Sequence, residues 1–154
     1  MRRLCPWKPH VKKGKDPLPL RVPQYAGNPG WILLTHDRDG SCVAFFVDHQ
    51  EKTTPVNFVI DERLFSDTVL RVTQLSPNVF LACDIRYFNG KFVYETMSYS
   101  ERRALLDELL GEFHSPDLCA LMTHDEVPPL TPIRGWETYD DKPGSLGVFL
   151  PAEE

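Results

Sequence analysis

Val79-Phe-Leu-Ala-Cys-Asp-Ile-Arg-Tyr-Phe-Asn-Gly90, continued by Lys91-Phe-Val-Tyr94 and then by Ser98-Tyr-Ser-Glu-Arg-Arg-Ala-Leu-Leu106, decides the fold. Its first half is apolar and β-branched enough for a strand. Asn89-Gly90 is the strongest tight-turn dipeptide in the chain, and Lys91–Tyr94 reads as the returning partner strand. Its second half switches to helical spacing: Leu105, Leu106, Leu109 and Leu110 share one face. Ser98 or Ser100 can cap that helix, Glu101 stands three residues after Ser98 as in a capping box, and Gly111 can end it. Strand, tight turn, strand and one helix within about thirty residues predict hairpin-linked antiparallel sheet with a helix packed on it.

Outward from this block the pattern stays mainly strand. Trp31-Ile-Leu-Leu-Thr35 and Cys42-Val-Ala-Phe-Phe-Val47 flank the turn signal Asp37-Arg-Asp-Gly40 and read as a hairpin. Phe58–Ile60 and Thr68–Val72 read as shorter strands, Leu118–Met122 as another, and Leu146–Leu150 as the last. The 14 prolines cluster in both flanks. Proline fixes φ and removes a donor, so those flanks are expected to be extended or looped. The fold class that follows is α+β, mainly antiparallel sheet with one clear helix.

A chain of 154 residues that is 42% hydrophobic suits one domain. No apolar run approaches the ~20 residues of a membrane helix, and the basic start lacks the apolar segment of a secretory signal. Cys5, Cys42, Cys83 and Cys119 contain no CxxC pair, which argues for reduced intracellular thiols rather than a zinc ribbon or a disulfide framework. Residues 1–15 hold six basic side chains and no acid, +6 against a chain total of −5, which leaves −11 for the rest. Residues 1–17 are therefore expected to form a basic flexible arm, and 18–154 a single domain. An acidic body of this kind meets nucleic acid only locally.

Chemistry-bearing motifs are sparse. His36-Asp37 and His124-Asp125, with Asp39 and His49 nearby, fall in predicted loops at no metal-ligand spacing. No serine stands in GxSxG, and no phosphate-cradling glycine loop occurs. Cys83 and Cys119 lie in apolar strands, as inert core thiols do. The tryptophans are the remaining lead. Trp7, Trp31 and Trp136 are each flanked by proline or glycine, where an indole can hold a flat base by stacking. Trp31, leading an apolar strand, is expected in the core; Trp136, beside Arg134 and Gly135 in a predicted loop, reads equally as core plug or contact.

The block from Asp84 through Asn89-Gly90 to Glu101-Arg-Arg-Ala-Leu-Leu106 resembles one motif of the covalent nucleotidyltransferases, the DNA ligases and mRNA capping enzymes. Asp37-Arg-Asp-Gly-Ser-Cys42 is similar to the region of their KxDGxR motif. Pro129-Leu130, Gly135-Trp136 and Leu146-Gly-Val-Phe-Leu-Pro151 are similar to the final segment of snurportin, an import adaptor whose cap-binding domain has that fold without the catalysis. The resemblance implies a nucleotidyltransferase-like fold over residues 18–151. It also implies lost chemistry. The attacking lysine position is Asp37, the motif's arginine is Cys42, the carboxylate motif falls in the acid-free Thr68–Thr73, and the base-stacking aromatic is Cys83. A carboxylate cannot form the nucleotide–lysine phosphoramidate, so no enzyme activity, cofactor or metal is expected.

What the resemblance then implies is binding of a methylated-guanosine RNA 5′ cap, with Trp136 as stacking wall, Lys52 on phosphate, and Trp7 and Arg134 as further contacts. The expected partner is capped RNA, with a possible protein partner and no membrane, in cytoplasm and nucleus, as for a nuclear-transport factor. The alternative is a catalytically dead nucleotidyltransferase-fold domain serving as a protein-interaction subunit of an RNA-processing complex.

Overall fold

The computed structural model describes residues 11–56, 62–110, 120–122 and 131–151. Ten strands and a few helical elements run in the order β1 (Val11–Lys13), β2 (Leu20–Tyr25), β3 (Asn28–His36), β4 (Cys42–Asp48), β5 (Thr53–Val56), a 3-10 turn (Glu62–Leu64), β6 (Thr68–Ser76), β7 (Val79–Tyr87), α1 (Val93–Thr96), α2 (Tyr99–Leu110), β8 (Ala120–Met122), β9 (Ile133–Tyr139) and β10 (Gly147–Pro151). The strands form a six-stranded sheet ordered β5-β4-β3-β6-β7-β8 and a four-stranded sheet ordered β1-β10-β9-β2. All pairings are antiparallel except β1 with β10 and β7 with β8. The fold is α+β, mainly antiparallel, with one clear helix. Among the described residues no helix is long and apolar enough to cross a membrane.

The core follows from side-chain alternation. Ile32, Leu34, Phe46, Leu70, Val72, Phe80 and Ala82 present one face of the six-stranded sheet, and Leu106 of α2 closes over it with Val93 and Leu64. Trp31, Leu33 and Val69 occupy the opposite face; Trp31 is 9% exposed and belongs to the core. The irregular pairing of β7 serves the helix. Ala82 stands opposite Val72, Asp84 opposite Arg71 and Ile85 opposite Leu70, so Cys83 is an extra residue, a bulge. Asp84 thereby reaches α2 while Ala82 and Ile85 stay in the core.

Asp84 meets Arg102 there, both essentially without solvent contact. Arg102 Nε donates to Asp84 Oδ1 at 2.7 Å and Nη2 to Oδ2 at 3.1 Å, and Nη1 reaches the Met97 and Tyr94 carbonyls. The helix begins on the capping box read from sequence: Glu101 N–H donates to Ser98 Oγ (3.3 Å) and Ser98 N–H to Glu101 Oε1 (2.9 Å). Asp141, from the β9–β10 connection, adds a second cap, accepting the Ser100 N–H at 2.7 Å and its hydroxyl at 2.8 Å.

Two sequence expectations are corrected, the returning strand at Lys91–Tyr94 and the loop around Trp136. Asn89 and Gly90 do form the tight turn, with φ of 48° and 84°. Lys91–Tyr94, however, is not a returning strand. After one bridge, Phe88 to Lys91, the chain enters α1, because Phe92 stacks on Tyr87 (centroids 4.9 Å apart) and Val93 and Tyr94 are drawn into the core. Trp136, read in a loop, lies within strand β9. Of the flanks expected to be extended or looped, β2, β9 and β10 are extended and make the second sheet. Its prolines sit where a missing donor is harmless, Pro23 on the edge strand β2 and Pro151 at the end of β10. Within the stretch read as a basic arm, Val11–Lys13 pairs with β10. Phe58–Ile60, Leu118 and Cys119 lie outside the described residues.

Removing one partner of the Asp84–Arg102 pair strands a buried charge, a loss of about 3–5 kcal/mol. Asp84→Asn is expected to lower the melting temperature by about 10 °C or more. The double replacement Asp84→Leu/Arg102→Met is expected to recover most of that loss. Thermal unfolding followed by circular dichroism measures both.

Candidate functional site

Two regions join chemistry-bearing side chains across the fold, and β9 separates them. On its inner side Glu137 faces the six-stranded sheet. Arg71 of β6 holds it with two parallel hydrogen bonds, Nη1 to Oε1 at 2.9 Å and Nη2 to Oε2, and Tyr139 Oη donates to Oε1 at 2.7 Å. Tyr139 stacks on Tyr99 at the start of α2, centroids 3.7 Å apart and planes 7° from parallel. Arg103 Nη1 donates to the Tyr99 hydroxyl at 2.9 Å. Beside this pair lie Gln24, Thr73 and Cys83, all buried. Thr73 Oγ1 stands 3.5 Å from Gln24 Oε1 and 3.7 Å from Cys83 Sγ.

Electrostatics fit a closed cluster. Burial opposes ionisation of Glu137, yet the Arg71 guanidinium and the hydrogen bonds from Arg71 and Tyr139 outweigh it and hold the carboxyl below its usual value. Burial pushes the Cys83 thiol up to about 11, so it is protonated and unreactive at neutral pH. Burial likewise raises the Tyr139 phenol, with Glu137 adding to it.

On its outer side β9 carries Trp136. Because neighbours in a strand point to opposite faces, and Glu137 is fixed on Arg71, the indole points away from the six-stranded sheet. Its cross-strand partners are Pro23 of β2 and Leu150 of β10. The connection from β1 to β2 crosses this outer face next to it: Leu18 N–H donates to Thr138 Oγ1 at 2.9 Å. Gly14 lies against Val148, where a Cβ would come within 2.7 Å of Val148 Cγ1. Trp136 itself remains half-buried, and the guanidinium of the exposed Arg21 lies over its ring, 4.0 Å from the centroid.

The residues expected from sequence are not assembled as expected. Lys52 is exposed in the turn between β4 and β5, at the outer edge of the six-stranded sheet, where its N–H donates to Asp48 Oδ1 at 2.9 Å. Trp136 faces away from that sheet, so the two do not oppose each other across a cleft. Arg134 is the extra residue of β9, since Gln24 pairs with Gly135 and Tyr25 with Ile133. That bulge swings its guanidinium over Phe149, 5.1 Å from the ring centre, rather than over Trp136. Trp7 lies outside the described residues. Asp37 builds a turn, its Oδ1 accepting the N–H groups of Asp39 (2.9 Å) and Ser41 (3.0 Å). Among the described residues no three metal-ligating side chains converge. Sequence reading missed Arg21, Arg71 and Glu137. An arginine inside an otherwise apolar strand, as at Arg71 in Thr68–Val72, was the available signal of a buried partner.

Comparison with protein-family models and with curated proteins finds no match for this chain.

The Glu137 carboxyl has a native pKa below its unfolded value. Its share of the stability is therefore present above about pH 4.5 and lost as the pH falls through the lower native value. Glu137→Gln is expected to destabilise the protein by about 3 kcal/mol at pH 7 and to flatten the acid limb of the stability curve. Urea unfolding between pH 3 and 7 tests both effects.

Proposed function

We propose that this chain is a non-catalytic binder of an RNA 5′ end, a nucleotidyltransferase-like domain that holds a methylated guanosine cap by stacking it on Trp136. One observation carries the reading: an indole on the outer face of β9, half-exposed, already stacked with a flat cation, the Arg21 guanidinium. A surface that takes one planar cation suits another, and N7-methylation makes guanine a planar cation. The two edges of this sheet carry exposed basic residues, Lys12 and Lys13 on β1 and Arg21 on β2, although the chain as a whole is acidic. They favour a ligand carrying phosphate.

The space between the sheets supports the absence of group transfer. If the chain has the nucleotidyltransferase-like fold, Cys83 stands at the base-stacking position and Arg71 lies within the acid-free stretch of the carboxylate motif. These groups are buried together and mutually satisfied through Thr73, Gln24 and Glu137. On the same correspondence Asp37 stands at the position of the attacking lysine, and its carboxylate is taken up by a turn.

That same filled space favours a second reading, a scaffold domain that docks protein partners and binds no cap. The two separate on a 7-methylguanosine triphosphate resin. The cap reading expects retention of the wild type, loss of it by about 10-fold or more in Trp136→Ala, and a melting temperature changed by only a few degrees. Equal affinity for capped and uncapped RNA, or for neither, contradicts it and leaves the scaffold.

A further inference from the structure

We propose that Arg21 is itself part of this site and changes partner on binding: its guanidinium rests on the Trp136 indole in the free protein and moves to the 5′-phosphate of the nucleotide whose base displaces it. The inference rests on the base-stacking reading of Trp136. It assigns the ligand as a nucleotide, base and phosphate together, rather than a nucleoside.

Arg21 differs from the other arginines around the two sheets. Arg71 and Arg102 are pinned by carboxylates, Arg103 by the Tyr99 hydroxyl, Arg86 is buried among the rings of Trp31, Phe92 and Tyr94, and Arg134 lies over Phe149, whose ring is buried. Arg21 is exposed, and its contact is with a half-exposed ring; among the described residues no carboxylate holds its donors. A guanidinium in that state has little to lose by leaving and gains a bidentate partner if phosphate arrives.

Geometry forces the move. At 4.0 Å the guanidinium is in van der Waals contact with the indole, so no base can lie on that face until it withdraws. A cationic base and a guanidinium also repel each other at such a distance. The side chain stays anchored on the edge strand β2, where Arg21 stands opposite Thr138, two residues along β9 from Trp136 on the same face. The 5′-phosphate of a nucleotide, joined through its ribose to a base on Trp136, is the anion that the freed guanidinium then pairs with.

The two roles have opposite signs, which makes them separable. As a competitor for the ring, Arg21 weakens binding of any base; as a phosphate ligand, it strengthens binding of nucleotides alone. Calorimetric titration of wild type, Arg21→Ala and Trp136→Ala with 7-methylguanosine and with 7-methylguanosine 5′-monophosphate reads both. The expected result is a crossing: Arg21→Ala binds the nucleoside about 2- to 5-fold more tightly, by release of the ring, and the monophosphate about 10-fold more weakly. Trp136→Ala loses both ligands. If Trp136→Ala loses both while Arg21→Ala keeps the wild-type preference for the monophosphate, base stacking stands and the role of Arg21 is overturned. If the wild type binds neither ligand, or Trp136→Ala binds as the wild type does, the stacking reading falls and Arg21 with it.

Discussion

The paired hydrogen bonds between Arg71 and Glu137 set the geometry on which the site depends. They join the six-stranded sheet to the four-stranded one with a charge pair almost closed to water, and they fix which side of β9 faces inward. Strand alternation then leaves Trp136 no choice but the outer face. Had residue 137 been turned outward, the indole would lie between the sheets beside Cys83 and Thr73. A buried pair of this kind adds little net stability over an apolar equivalent, but it strongly penalises arrangements that separate its members. Its value here is registration of one sheet on the other.

A second buried pair does the same for the helix. Asp84 and Arg102 bind α2 to β7, and the two tyrosine rings, Tyr99 on α2 and Tyr139 on β9, carry that fixation across to the smaller sheet. The Asp141 cap ties the β9–β10 connection to the same helix end. The Ser100 bonds hold the Asp141 carboxyl below its usual range, which marks the cap as an ionised one. Asp84, Asn89-Gly90 and Glu101-Arg102 are thus accounted for by packing: an ion pair, a turn and a cap. They maintain the frame, while the proposed contacts sit elsewhere, on a face that the frame presents.

Local signals were legible in the sequence, and non-local ones were not. The capping box at Ser98 and Glu101, the turn at Asn89-Gly90, the hairpin of β3 and β4 and the buried Trp31 each depend on neighbours in the chain or on plain apolar patterning, and each was readable. β9 was hidden because Ile133-Arg-Gly-Trp-Glu-Thr-Tyr139 buries charge and glycine on its inner face, which inverts the usual alternation of apolar in and polar out. The displacement of Arg134 arises from a bulge that no residue type announced. Lys52 entered the expected site only through the resemblance, and a resemblance of short motifs carries no information about which sheet a strand joins. Arg21 meets Trp136 only because β2 and β9, far apart in the chain, become neighbours. Lys91–Tyr94 went the other way: its pattern suits a strand, and aromatic packing on Tyr87 overrode it.

On the proposed reading, ligand meets the outer face of β9 and the space between the sheets stays shut. Nitrogen-15 NMR of the labelled protein titrated with 7-methylguanosine 5′-monophosphate tests it directly. The account predicts shifts of the Trp136 indole N–H and of the Arg21 amide, with the amides of Thr73 and Cys83 unmoved. Shifts centred on Thr73 and Cys83, with the Trp136 indole unchanged, would contradict it.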